Sequence, residues 1–148
     1  MLSAIDASTR YFCQDILGLQ LRQEQKHPKE FFGASIPLTK NSTEHHFYLF
    51  FEPAVLDIFG EILLGESPLC EAFRDDLCKE VANQIVGHAK VSLETEDGIS
   101  KKIKNSYKLG TPEFLGQIPS PPPISLEGFL LYRLDKGVFL IGKGQNNG

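Results

Sequence analysis

At 148 residues, 41% hydrophobic and 23% charged, the chain has the size of one ordinary domain and a composition that excludes wholesale disorder, burying roughly two-thirds of its unfolded surface. Fifteen Lys and Arg against nineteen Asp and Glu give a net charge of −4, the wrong sign for a protein whose main task is to grip nucleic acid or anionic lipid. With no apolar run of the roughly 18–20 residues a membrane span needs, and no basic-then-apolar leader, the expectation is a soluble, cytoplasmic, single-domain protein over residues 1–143.

Residues 4–17 (AIDASTRYFCQDIL) read as a helix with Ile5, Tyr11, Phe12, Cys13, Ile16 and Leu17 on its apolar side, stopped by Gly18. The polar stretch 20–29 reads as a short strand or a loop. Residues 31–38 and 44–51 (EHHFYLFF) read as two strands around the turn-like Thr39-Lys40-Asn41-Ser42. Pro53 at a first-turn position and Gly65 as a stop bracket a second helix over 53–64. After the turn Glu66-Ser67-Pro68 comes the longest periodic segment, 69–91, followed by a short strand at 91–94 that turns at Asp97-Gly98. Residues 101–108 are basic (Lys101, Lys102, Lys104, Lys108) and read as a solvated face; 111–118 looks irregular, and 119–123 (PSPPP) a stiff connector. Residues 124–134 and 138–143 form the clearest hairpin, joined by Asp135-Lys136-Gly137, and 144–148 (GQNNG) are expected to be a disordered tail. Paired strands with helices between them suit an α+β layer architecture with an antiparallel or mixed sheet, not a βαβ alternation.

Cofactor signatures are missing. Cys13, Cys70 and Cys78 form no C-x-x-C pair and sit in apolar helical patterns, as small buried hydrophobes do. His45 and His46 open a strand, so their rings point to opposite faces and cannot chelate one metal together. The expectation is no metal site.

The informative segment is the long helix. Advancing about 100° per residue from Asp76, the apolar residues Phe73, Leu77, Val81 and Ile85, with Cys78, Ala82 and Ala89, spread from about 60° to 240°. Asp76, Glu80, Asn83 and Gly87 fall within about 60° of one another on the opposite face. A solvated helix face accounts for the carboxylates but not for the other two. Asn and Gly each cost a helix interior roughly 0.5–1 kcal/mol relative to Ala, and here both stand mid-helix where no core packing requires them. A glycine lets another backbone approach, and an exposed carboxamide among carboxylates offers a donor and an acceptor to a water.

At these residues the sequence resembles the CheC/CheX/FliY family of chemotaxis phosphatases, whose signature is Asp-x3-Glu-x2-Asn on a long exposed helix with a glycine four residues after the Asn. It stands here as Asp76-Leu-Cys-Lys-Glu80-Val-Ala-Asn83-Gln-Ile-Val-Gly87. The apolar strand 47–51, the Glu52-Pro53 start, the helix ending Ile62-Leu63-Leu64-Gly65 and the last hairpin extend the likeness over residues 4–143. The resemblance implies a fold built by internal duplication, with one helix of each half able to carry a site. Aligning Gly18 with Gly87 pairs Ile16-Leu17 with Ile85-Val86, but places Gln14 opposite Asn83, Tyr11 opposite Glu80 and Ala7 opposite Asp76. The framework repeats while the carboxylates do not, which is the CheX-like condition of one intact site.

The family likeness further implies a substrate, the phosphoaspartate of a CheY-like response regulator, and no cofactor of the chain's own, since Mg²⁺ sits on the regulator. Asn83 would hold the attacking water, Glu80 would pair with the regulator's active-site lysine, Asp76 would support Glu80 or contact the rim, and Gly87 would permit close approach. A homodimer joined through its sheets is implied in the same way. The alternative is a non-catalytic adaptor module of a two-component or flagellar system that keeps this fold. Residues 1–74 carry six basic and ten acidic groups and residues 75–148 nine of each, so the half with the motif meets an acidic partner without net repulsion.

Overall fold

Pro53 and Gly65 act as the sequence implies: Glu52 is extended, Pro53 opens α2 (Pro53–Leu64), and Gly65 closes it in the left-handed region at φ 69°. The computed structural model describes residues 1–23, 30–65, 70–100, 105–119 and 124–145, with backbone alone at 99 and 100. The first helix, α1, spans Leu2–Arg10 and continues as a π-helical segment over Tyr11–Ile16, ended by Gly18 at φ 69°. Its buried positions are Ile5, Ser8, Thr9, Phe12 and Cys13, while Tyr11 and Ile16, expected on the apolar side, are exposed.

The third helix, α3, runs from Glu71 to Ser100, about 45 Å at helical rise. This overturns the strand expected at 91–94 and the turn at Asp97-Gly98. Helical ties carry the chain through both: Lys90 pairs with Glu94 at 2.6 Å, and Thr95 Oγ1 donates to the Val91 carbonyl at 3.0 Å. Asp97, only 4% exposed, accepts hydrogen bonds from the Tyr107 hydroxyl at 2.5 Å and the Asn105 amide at 2.6 Å. Asn105 in turn accepts from Asn41 at 2.8 Å. The far end of α3 is thereby tied to the sheet, a long-range constraint that helical periodicity does not reveal.

Seven strands form one antiparallel sheet: β1 (Arg22–Gln23), β2 (Glu30–Lys40), β3 (Thr43–Phe51), β4 (Tyr107–Leu109), β5 (Glu113–Pro119), β6 (Leu126–Leu134) and β7 (Gly137–Gly144). The order is β1-β6-β7-β3-β2-β4, with β5 also paired to β2. This order is symmetric about the β3–β7 pair. The β2–β3 and β6–β7 hairpins lie side by side, and each is flanked by a short strand from the other half of the chain. The sequence expectation of an internal duplication in an α+β fold corresponds to this arrangement.

The β2–β3 turn is shorter than expected, only Asn41-Ser42, both at positive φ (48° and 74°) between the paired Lys40 and Thr43, the backbone that matches strand twist in a two-residue hairpin. Residues 111–118, expected to be irregular, contain β5. The register skips from Gly33↔Gly116 to Ala34↔Phe114, so Leu115 is a bulge, and this breaks the alternation that would have marked the strand. β7 runs to Gly144, and the Gln145 N–H donates to the Ser125 carbonyl at 3.2 Å, so the strand takes the start of the segment expected as a tail. The expected turn at 66–68, the connector at 120–123, the lysines at 101–104 and the last three residues lie outside the described residues.

All three helices pack on one face of the sheet: α3 on β2, β4 and β5 and against α1, α2 on β7 and α3. The core between the layers centres on Phe12, Phe51, Phe59 and Phe139, whose rings meet at 5.6–6.1 Å, edge-to-face or tilted. The other face of the sheet holds a smaller cluster, including Phe31, Phe50, Leu131 and Leu140. Cys13 and Cys78 are buried, and burial pushes both thiols up to about 12; Cys70, expected to be buried, is exposed. Among the described residues, no helix is long and apolar enough to cross a membrane.

Candidate functional site

The orientation of α3 follows from which of its residues can be buried. Leu77, Cys78, Val81, Ala82, Ile85, Val86 and Ala89 are all at most 2% exposed and face α1 and the sheet. On a helix of about 100° per residue, the centre of that arc lies about 180° from the centre of the stripe Asp76, Glu80, Asn83 and Gly87. The core therefore turns the stripe straight out from the fold. Asp76 and Glu80 are exposed, and Asn83 and Gly87 partly so. Phe73, expected on the apolar arc, lies at its edge and is 43% exposed.

Three contacts hold the helix in this rotation. The Ser8 hydroxyl of α1 donates to the Ile85 carbonyl directly behind the stripe. The Arg74 guanidinium lies 4.2 Å over the Phe32 ring of β2. Tyr11 of the π segment stacks on His88, centroids 4.5 Å apart and rings 11° from parallel.

The stripe rises about 16 Å from Asp76 to Gly87. Glu80 is oriented by the next turn, where Gln84 Nε2 donates to its Oε1 at 3.0 Å. Among the described residues, nothing hydrogen-bonds the Asn83 side chain, so its carbonyl and amino group are both free for a water or a partner. A Cβ at Gly87 would meet only Leu109 Cδ2, at 3.4 Å. The glycine is not demanded by crowding within the chain, although Leu109 borders the open ground that the sequence suggests there.

Two elements of the site escape the sequence reading. One is Gln84, whose signal is its i+4 spacing from Glu80. The other is an open groove of about 420 Å³ between the end of α2 and α3, lined by Leu63, Leu64, Asp76, Leu77, Glu80 and Gln84. It depends on how two helices pack and has no local signature. Among the described residues, no group of three His, Cys, Asp or Glu is placed to hold a metal ion.

No family model and no curated protein matches the chain. Solved structures do. The chemotaxis protein CheX from Vibrio vulnificus superposes with a TM-score of 0.76 at 18% identity, over 95% of each chain. CheX from Desulfovibrio desulfuricans gives 0.70 at 16% identity, again over 95% of each. A CheX–CheY–BeF3–Mg²⁺ complex from Borrelia burgdorferi gives 0.65 at 12% identity, covering 97% of this chain and 96% of that one. The fold is that of the CheX structures.

Proposed function

We propose that this chain is a phosphatase of the CheC/CheX/FliY family that removes the phosphoryl group from the phosphoaspartate of a CheY-like response regulator. The observation that carries the reading is the direction of the stripe: on a CheX fold, Glu80 and Asn83 project straight out from the core, and Asn83 has its donor and acceptor uncommitted. The CheY-bound relative supports a regulator as the partner.

The chemistry asks little of the phosphatase. An acyl phosphate is already activated, and Mg²⁺ and a lysine on the regulator take up the phosphoryl charge. What remains is to place a water in line with the departing carboxylate. Asn83 accepts from and donates to that water, fixing its lone pair toward phosphorus without acting as a strong base. The water oxygen forms the new P–O bond as the acyl P–O bond breaks, the aspartate leaves as carboxylate, and the water's protons pass to phosphate and solvent. Glu80, one turn below and held by Gln84, pairs with the regulator's lysine and sets the register of docking. Asp76 extends the acidic end of the stripe toward the rim, and Gly87 lets the partner's backbone come close to Asn83. The reading places the protein in the cytoplasm, as a homodimer joined through its sheets.

The test is phosphate release from a regulator charged with acetyl phosphate in the presence of Mg²⁺. Asn83→Ala lowers release by about 100-fold or more, the cost of losing the water's position, while binding of the regulator persists. Glu80→Ala weakens both binding and release. If both variants release phosphate as fast as the parent protein, the mechanism is wrong. Stoichiometric binding by the parent without release supports the adaptor instead.

A further inference from the structure

The groove beside the stripe is lined by both apolar and acidic side chains. Leu63 and Leu64 come from the last turn of α2, immediately before the Gly65 cap, and Asp76, Leu77, Glu80 and Gln84 from α3. Leu64 is 48% exposed. Single exposed apolar residues are ordinary, but this one shares a groove with two further leucines, Leu63 and Leu77, and such clustering is how docking surfaces differ from the rest of a protein. The two nearby cations are engaged elsewhere: Lys79 pairs with Asp75 at 2.9 Å, and Arg74 lies over Phe32. No cation lines the groove among the described residues. Gln84, bonded to Glu80, keeps that carboxylate at the groove edge.

We infer that this groove is a second contact of the docking surface and takes an aliphatic side chain of the regulator that is flanked by a lysine or arginine. The aliphatic group covers Leu63, Leu64 and Leu77, and the flanking cation meets Asp76, whose position at the lower end of the stripe leaves Glu80 for the active-site lysine. The inference rests on the reading of α3 as the regulator-docking helix. It assigns Asp76 a partner and gives specificity a location outside the reacting centre, since the groove selects among regulators by the side chain they present while Asn83 treats every phosphoaspartate alike.

Leu64→Ser and Leu64→Lys test it, because a half-exposed residue at a helix end can be changed without opening the core. Phosphate release is measured against regulator concentration, with Asn83→Ala alongside. Leu64→Ser raises KM about tenfold at unchanged kcat, the loss expected for part of one buried aliphatic contact. Leu64→Lys raises it further, and the excess shrinks as salt is added. If Asn83→Ala abolishes release but neither Leu64 variant moves KM, the groove is not a contact. A fall in kcat at unchanged KM also overturns it. If Asn83→Ala has no effect, the reading on which the inference rests fails first.

Discussion

Under the proposed docking through α3, Gly87 separates the demands of the fold from those of a partner, because one substitution moves them in opposite directions. The residue lies well inside the 30-residue α3, where glycine is worse than alanine by about 0.5–1 kcal/mol through its larger loss of backbone freedom. A methyl placed there meets one atom, Leu109 Cδ2 at 3.4 Å, an ordinary van der Waals contact. Gly87→Ala therefore stabilises the protein by about 0.5–1 kcal/mol, a rise in Tm of about 1.5–3 °C for a domain of this size. The same methyl stands on the outward face four residues beyond Asn83, where the regulator's backbone is to approach. Crowding a well-packed contact by one methyl costs about 1–3 kcal/mol, so KM for the phosphorylated regulator rises by about fivefold or more. Thermal unfolding and phosphate release are measured on the same preparation. A variant that is more stable and equally active removes Gly87 from the docking surface. A variant that is less stable refutes the packing assigned to this turn of α3.

Three further predictions concern the framework. Asp97→Ala leaves the Tyr107 hydroxyl and the Asn105 amide without their shared acceptor, and urea unfolding should show a loss of about 1–3 kcal/mol. Burial, reinforced by the Asp97 hydrogen bond, pushes the Tyr107 phenol from 10.0 up to about 12; a group with a raised folded-state pKa contributes fully below its unfolded value, so its contribution holds below pH 10 and is lost as pH rises toward 12. Denaturation midpoints across that range should fall more steeply for the parent than for Tyr107→Phe. Ser8→Ala removes the hydroxyl that reaches the Ile85 carbonyl across the α1–α3 contact, and the same urea measurement should register a loss of about 0.5–1.5 kcal/mol.

Where short-range physics decides, the sequence is enough. The limits of α2 are written in Pro53 and Gly65, and the outward face of α3 in the spacing of Asp76, Glu80, Asn83 and Gly87, because helix caps and the 100° step act on neighbours. The errors lie where distant residues decide. The last turns of α3 are tied down by partners at 41, 105 and 107, the last two bonded directly to Asp97, so the polar run after Val91 has the look of a helix already ended. The Leu115 bulge hides β5 by shifting its alternation by one residue. A uniform 3.6-residue repeat from Ile5 puts Ile16 on the buried side, but the segment that holds it is π-helical; Tyr11 falls off that side on either count.

That segment also bears on why the first half carries no counterpart of the site. Ala7, Tyr11, Gln14 and Gly18 occupy the positions that match Asp76, Glu80, Asn83 and Gly87, and all four are exposed, so burial is not what prevents a second site. Chemistry is one obstacle, since the two carboxylate positions hold a methyl and a phenol. Geometry is a second. Between Tyr11 and Ile16 the hydrogen bonds are of the i→i+5 kind, which widens the turn, so that residues three apart no longer stack on one face as Glu80 and Asn83 do. Gly18 already lies beyond the helix in the left-handed region, whereas Gly87 has helix on both sides of it. Tyr11 is meanwhile spent on His88, so the residue opposite Glu80 in the repeat braces the helix that bears Glu80. The symmetric sheet thus carries an asymmetric helical layer, in which the first helix supports the second and α3 alone presents a straight, outward-facing stripe.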